Sequence, residues 1–380
     1  LVAYCNEIDT ISLFRSYPKA VIAPELVMEM TPGLMVEKKA RRVVEESEEQ
    51  YEQTIDLTSF SKSEKHSREL RRTLIQGALT VSRYPEYDYL ARRMEPRRCT
   101  VFQSVLPERD NETYKRIIRS RARVYQRIRK RFLALESEDV LISRKWLDGD
   151  DIDIEDAVNF AVDLHRGAAV DDKIYMRRRR NTRDIAVSVL VDGSSSTLEE
   201  VGHRRIIDIE KEALILFGSA LSMIGDSFAI DSFFSMGPGS IFVRSVKNFR
   251  EPWNARSQGR VDAMEAHAGN RDGAAIRHVS SALASQPART RLLLMLSDGI
   301  PADIDYGASS GAETSTYAIE DTRHALQEAR LKGIHTYCLT IDRTARAYIP
   351  YLYGEYNYRI LEDIEQLPEA LARLYLRLTR

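Results

Sequence analysis

Asp192, Ser194 and Ser196 occupy alternate positions in Asp192-Gly193-Ser194-Ser195-Ser196, directly after an apolar run from Ile185 to Val191. One carboxylate and two hydroxyls leaving a strand together are hard oxygen ligands of the kind Mg²⁺ takes. Two later loops can join them. Gly269-Asn270-Arg271-Asp272-Gly273 opens a helix, and Ser297-Asp298-Gly299-Ile300-Pro301 follows the apolar run Leu292 to Leu296. In open α/β sheets, ligands bind outside the carboxyl ends of the strands. Asp192, Ser194, Ser196, Asn270 and Asp298 are therefore expected to surround one cation, with Asp272 adding a charge. The set holds no His or Cys, which disfavours Zn²⁺ and copper. Few carboxylates and several hydroxyls suit an octahedral Mg²⁺ that keeps some waters; Mn²⁺ and Ca²⁺ are the alternatives. An ion so held is under-neutralised, and an open coordination position can accept an acidic side chain from a partner. Asp-Gly-Ser after a strand is also an ordinary turn and helix cap. The Ser-Asp-Gly loop after a second core strand tips the balance toward a metal site.

Such loops need a sheet to bring them together, and the second half of the chain carries that pattern. From Asp184 the spacing predicts strand 185–191, helix 204–224, strands 227–233 and 241–246, helix 272–285, strand 291–296, helix 317–332, strand 334–341 and helix 364–378. Short apolar runs alternating with helices imply an α/β fold, a doubly wound and mostly parallel sheet with helices on both faces. Upstream the texture is helix-rich. An amphipathic helix fits Asn111 to Glu136, a second starts near Asp153 and ends at Gly167, and strand character gathers near Cys99–Phe102. The expected division is a charged helix or linker segment over 1–83, a mainly helical region over 84–183 and an α/β domain over 184–380.

Composition narrows the function. The 380 residues are 43% apolar and 30% charged, with a formal net charge of −1. That is a globular chain with no global electrostatic case for nucleic acid or anionic membrane. Cys5, Cys99 and Cys338 form neither a disulfide framework nor a zinc site, which fits a reducing cytoplasm. No apolar run approaches the ~20 residues of a membrane span. The start, Leu1-Val2-Ala3, has neither an initiator Met nor a signal-peptide pattern, so the chain reads as a fragment of a longer protein.

Competing chemistries fit less well. No G-x-x-x-x-G-K-[ST] loop occurs, which argues against ATP hydrolysis by this chain. Ser194 is not in a G-x-S-x-G elbow. Asp148–Asp153 lacks the Gly and Glu of a Ca²⁺ loop and suits an acidic helix start. Arg177–Arg180 reads as a solvated strand or loop.

The segment from Ile185 onward resembles a von Willebrand factor type A domain. Asp192, Ser194, Ser196 and Asp298 match the metal-ion-dependent adhesion site of that family, and Asn270 stands where the family has Thr. The likeness extends upstream. The stretches Tyr84-Pro85-Glu86-Tyr87-Asp88-Tyr89, Asp148–Ile154, Asp172–Tyr175, Glu251-Pro252-Trp253, Asp298–Asp303 and Tyr317–Arg323 resemble, in order, proteins of the NorD and CbbO type. That resemblance implies a non-enzymatic adaptor or co-activator working beside a hexameric MoxR-type AAA+ ATPase. Its client would be an enzyme of the nitric oxide reductase or Rubisco kind, presenting an acidic residue to the metal. Two alternatives stand beside it. A metal-dependent hydrolase would use the same ion as Lewis acid with Asp303 or Asp305 as base. An adhesion-type binding module would use the ion only to hold a ligand.

Overall fold

Side-chain parity on two neighbouring strands sets the layers. In β6 (Ile185–Asp192), Val187, Val189 and Val191 point to one face and Ala186 and Leu190 to the other; in β11 (Thr290–Ser297), Leu292, Leu294 and Leu296 oppose Leu293 and Met295. Strands apolar on both faces must be covered on both faces. The computed structural model describes residues 62–380 except 139, 168, 181–183, 307–313, 342–344, 347, 362 and 380. Expectations for residues 1–61 lie outside the described residues.

The main sheet has eight strands. Besides β6 and β11 these are β1 (Thr80–Asp88), β2 (Arg93–Val105), β9 (Ser227–Ser235), β10 (Ile241–Lys247), β12 (Ile334–Thr340) and β13 (Tyr358–Ile360), in the order β1-β2-β10-β9-β6-β11-β12-β13. Only β1·β2 and β10·β9 pair antiparallel; the other neighbours run parallel. This is the α/β, mostly parallel sheet that the alternating pattern predicts. One face is covered by α5 (Ile206–Ile224), α10 (Leu367–Leu378), α2 (Glu112–Ser120) and α3 (Ala122–Glu138). The other carries α7 (Asp272–Ala284) and α8 (Thr314–Leu331).

The upstream region departs from expectation. Residues 84–183 hold strands as well as helices, and β2 with most of β1 belongs to the main sheet. β2 is an inner strand, paired parallel to β10 from Val101↔Ile241 to Val105↔Ser245. β1 escapes pattern reading because it is polar and broken by Pro85, which sits at the bulge between Tyr84 and Glu86 on the edge strand, where a missing N–H costs least. The helix expected over 111–136 is two helices. Ser120 Oγ bonds back to the Ile117 carbonyl at 3.2 Å, and α2 ends there. Ile117, Ile128 and Phe132 bury against α5 and α10, with Phe132 stacked on Tyr375 at 5.5 Å.

A smaller sheet lies upstream of β6: β3 (Val140–Trp146), β5 (Tyr175–Arg180) and β4 (Asp151–Ile152), followed after β4 by α4 (Ile154–Arg166). As expected, Asp153 caps α4, accepting from the Glu155 amide at 3.1 Å, and Gly167 closes it in the left-handed region at φ 67°. The Asp148 loop is tied to β5 by Arg177, which donates to Asp148 and lies 4.3 Å over the Trp146 ring. The side chains of residues 178–180 lie outside the described set. Among the described residues, no helix is long and apolar enough to cross a membrane.

Candidate metal centre

Register brings the first and third loops together. β6 and β11 are adjacent and parallel, with Val191 opposite Leu296, so Asp192 ends its strand level with Ser297 and Asp298 follows one residue on. Asp192 is 1% exposed. Its Oδ1 accepts from the Ser194 amide at 2.8 Å and its Oδ2 from Asn270 Nδ2 at 2.6 Å. Ser194 Oγ and Ser196 Oγ lie 2.9 Å apart, the first buried and the second exposed. The hydroxyl pair thus runs from the buried carboxylate out to solvent.

The second loop is held by backbone contacts. Gly269 exchanges amide bonds with Ser235 at 2.7 and 3.0 Å, and Ser195 donates its amide and hydroxyl to the Ala268 carbonyl at 3.0 and 2.8 Å. A Cβ on Gly269 would sit 2.5 Å from the Ala302 carbonyl, so only glycine admits the third loop this closely. Asn270 bridges the loops: its Oδ1 accepts from the Ala302 amide at 2.7 Å while its Nδ2 faces Asp192. Its oxygen is therefore turned away from Asp192. Asp272, at the start of α7, is buried, and its Oδ1 has no hydrogen-bond partner among the described residues.

The electrostatics suit a cation. Burial first, and the charge of Asp298 second, push Asp192 up to about 7. Asp272 is pushed well above the carboxylate range by burial, then by Asp192, Asp298 and Asp321. Buried carboxylates that lie near one another disfavour each other's ionisation, and a cation relieves that. An unpartnered carboxylate oxygen on one loop and a pair of hydroxyls on another are hard donors of the kind a divalent ion takes. Among the described residues no group of three or more His, Cys, Asp or Glu gathers in metal-binding geometry. A site here must therefore draw on its hydroxyls as well as its carboxylates.

Sequence reading missed an ion-pair network behind this rim. Arg271, side chain 0% exposed, donates to Glu86, to Asp303 Oδ2 at 2.9 Å and to the Ile304 carbonyl at 2.7 Å, and lies 4.3 Å over the Tyr306 ring. Glu86 also accepts from Cys99 Sγ at 3.0 Å and Tyr317 Oη at 3.3 Å. Nearly two turns along α7, Arg277 pairs with Asp321 at 2.8 Å, and Asp321 also accepts from the Tyr87 amide and Tyr306 Oη. A Cβ on Gly273 would meet Asp321 Oδ2 at 2.0 Å, which explains the glycine. The network ties β1, α7, α8 and the 298–306 loop. Its members lie in stretches the sequence singles out, Tyr84–Tyr89, Gly269–Gly273, Asp298–Asp303 and Tyr317–Arg323, but nothing in the sequence pairs those stretches with one another.

This network bears on the hydrolase alternative. Asp303 accepts from Arg271 and, at 3.0 Å, from the Gly237 amide, with its side chain 1% exposed. It is held as an acceptor rather than poised as a base. Asp305 is exposed, at φ 57°. Breaking a buried pair by removing one partner typically costs ~3–5 kcal/mol. Arg271→Met is expected to destabilise the chain on the order of 3–5 kcal/mol by that principle, because Asp303 loses its buried partner and Glu86 keeps only the longer Arg98 contact at 3.9 Å. Urea unfolding monitored by circular dichroism checks this, and a loss below about 1 kcal/mol would contradict the buried pairing.

No family model matches the chain. It is similar to the Brucella melitensis protein named "Protein NorD", 35% identical over 305 residues, which is 80% of this chain and 46% of that protein. It is 40% identical over 238 residues to "Uncharacterized protein PA0525" of Pseudomonas aeruginosa, covering 62% of this chain and 38% of that one. Among solved structures, the vWF domain of the type V pili tip protein Mfa5 from Porphyromonas gingivalis aligns with 52% of this chain and 97% of its own, at 10% identity and a TM-score of 0.41. The chain spans about half the length of the NorD protein it matches. Over 80% of its length the chain is thus similar to proteins named NorD.

Proposed function

We propose that this chain is a non-enzymatic adaptor whose rim carries a divalent cation, Mg²⁺ foremost, and joins a hexameric MoxR-type AAA+ ATPase to a client enzyme in the cytoplasm. Asp192, Ser194, Ser196 and Asp298 would hold the ion. Asp272, with its orphaned oxygen, suits the remaining place better than Asn270, which acts as a positioning bridge. When bound, the ion supplies an open coordination position for an acidic side chain of the partner. The chain's own part is to fix two hydroxyls and to keep the carboxylates out of water.

One observation carries this reading. The donor set ends in an exposed hydroxyl, Ser196, and the same loops expose Leu198, Val201, Ile300 and Ile304. Exposed apolar residues around a polar centre mark a protein-binding surface. The similarity to NorD supports the adaptor reading, and a client of the nitric oxide reductase or Rubisco kind follows from it as part of the proposal. The purified chain is expected to show no ATPase activity and to co-elute with a MoxR-type hexamer in Mg²⁺ but not in EDTA. Co-elution unaffected by EDTA would refute the metal bridge.

A further inference from the structure

A helix of 13 residues, the length of α4, has little stability without packing, yet none of its residues is buried. Its ends hold it instead. Asp153 caps the first turn, Glu155 and Asp156 complement the positive end of the dipole, His165 and Arg166 the negative end, and Gly167 closes it. Ile154, Val158, Ala161 and His165 recur at spacings of four, three and four, so they share one face, with Val162 beside them. Ile154 is 78% exposed and Val158 55%. The hollow along Val158, Ala161, Val162 and His165 has no wall from another element among the described residues. Leu147 and Ile152, just upstream, are exposed as well. A surface helix normally turns such a stripe to the core. A stripe left in water, with further exposed apolar side chains next to it in the chain, marks a contact for another protein.

Charge selects the occupant. Between Leu147 and Lys173 the sequence carries nine carboxylates against two cations, Arg166 and Lys173, although the whole chain has a net charge of only −1. Asp148 is answered by Arg177 and Asp153 by Arg144. Glu155, Asp156, Asp163 and Asp172 have no ion-pair partner among the described residues. The field over this segment is negative, so it repels nucleic acid and anionic membrane and attracts cations. An apolar stripe among carboxylates complements a helix with leucine-like side chains on one face and Lys or Arg on its flanks.

We propose that α4, with Ile152 of β4 before it, docks a basic amphipathic helix of a partner protein. The surface uses none of the candidate cation ligands and does not depend on them. It gives the chain a second place to hold a protein, whatever the rim binds.

The test uses the whole chain and fluorescein-labelled synthetic peptides of about five helical turns, read by fluorescence anisotropy at physiological salt. One peptide repeats leucine at i, i+3, i+4 and i+7 with lysine between. A second replaces every lysine by glutamate, and a third every leucine by serine. Only the first is expected to bind. Ile154→Ser combined with Val158→Ser should weaken it about 10–100-fold, with the unfolding temperature unchanged because both side chains are exposed. Glu155→Gln combined with Asp172→Asn, which leaves the apolar stripe intact, should weaken it about tenfold and reduce its dependence on salt. Equal binding of the leucine and serine peptides would overturn the proposal, and so would unchanged affinity in both variants. Sedimentation of wild type as a dimer that the serine variant dissolves would also overturn it, by assigning the face to a second copy of this chain.

Discussion

A fragment of residues 184–380, the α/β segment as the sequence delimits it, is expected not to fold stably. Cutting there removes β1 and β2 from the main sheet, leaving the β10 edge that pairs with β2 open. An open apolar edge invites aggregation. It also strips Val101, Phe102, Ile117, Ile128 and Phe132, all buried. Each such side chain contributes about 1.5–3 kcal/mol when buried. Arg271 loses Glu86 as well, and a broken buried pair costs about 3–5 kcal/mol. Together these losses rival the ~5–15 kcal/mol that holds a whole domain. Residues 62–380 should retain a cooperative thermal transition, whereas the 184–380 fragment should be insoluble or lack one. A sharp transition from the shorter fragment would show that the hairpin is an accessory rather than part of the core.

Asp192→Ala is expected to abolish cation-induced stabilisation and to flatten the chain's pH dependence. The native pKa of Asp192, about 7, stands above its ordinary 3.8, so the native state holds a proton that the unfolded state has released. Metal-free stability should therefore fall as pH rises from about 4 to about 7 and level off above, a change on the order of a few kcal/mol. Saturating Mn²⁺ at pH 8 should recover about 2.7 kcal/mol at a hundred times Kd. The alanine variant should show a shallower slope, since Asp272 and Asp231 are also pushed up by burial, and no recovery. It also leaves the Ser194 amide and Asn270 Nδ2 without their acceptor. That costs roughly 1–3 kcal/mol per group and is offset in part by relief from the Asp298 charge. Urea unfolding across pH 4–8, in EDTA and in Mn²⁺, measures all of these. A full Mn²⁺ response from Asp192→Ala would remove that residue from the site.

The sequence by itself determined the long strands and helices from Ile185 onward, though not the short edge strand β13, because strands buried on both faces are continuous apolar runs and the helices between them repeat at their own period. It also placed Asp192, Ser194, Ser196 and Asp298 at strand ends, since a carboxylate or hydroxyl interrupting such a run marks where the strand leaves the core. Only the tertiary structure decided what depends on orientation or distance in sequence. Asn270 turns its nitrogen to Asp192 because the Ala302 amide claims its oxygen. Asp303 is buried against Arg271, and β1 and β2 join the sheet through Glu86 and the β10 edge. Local periodicity records which face of an element is buried. It does not record which distant charge lies against that face, and buried charges are where this fold departs from its pattern.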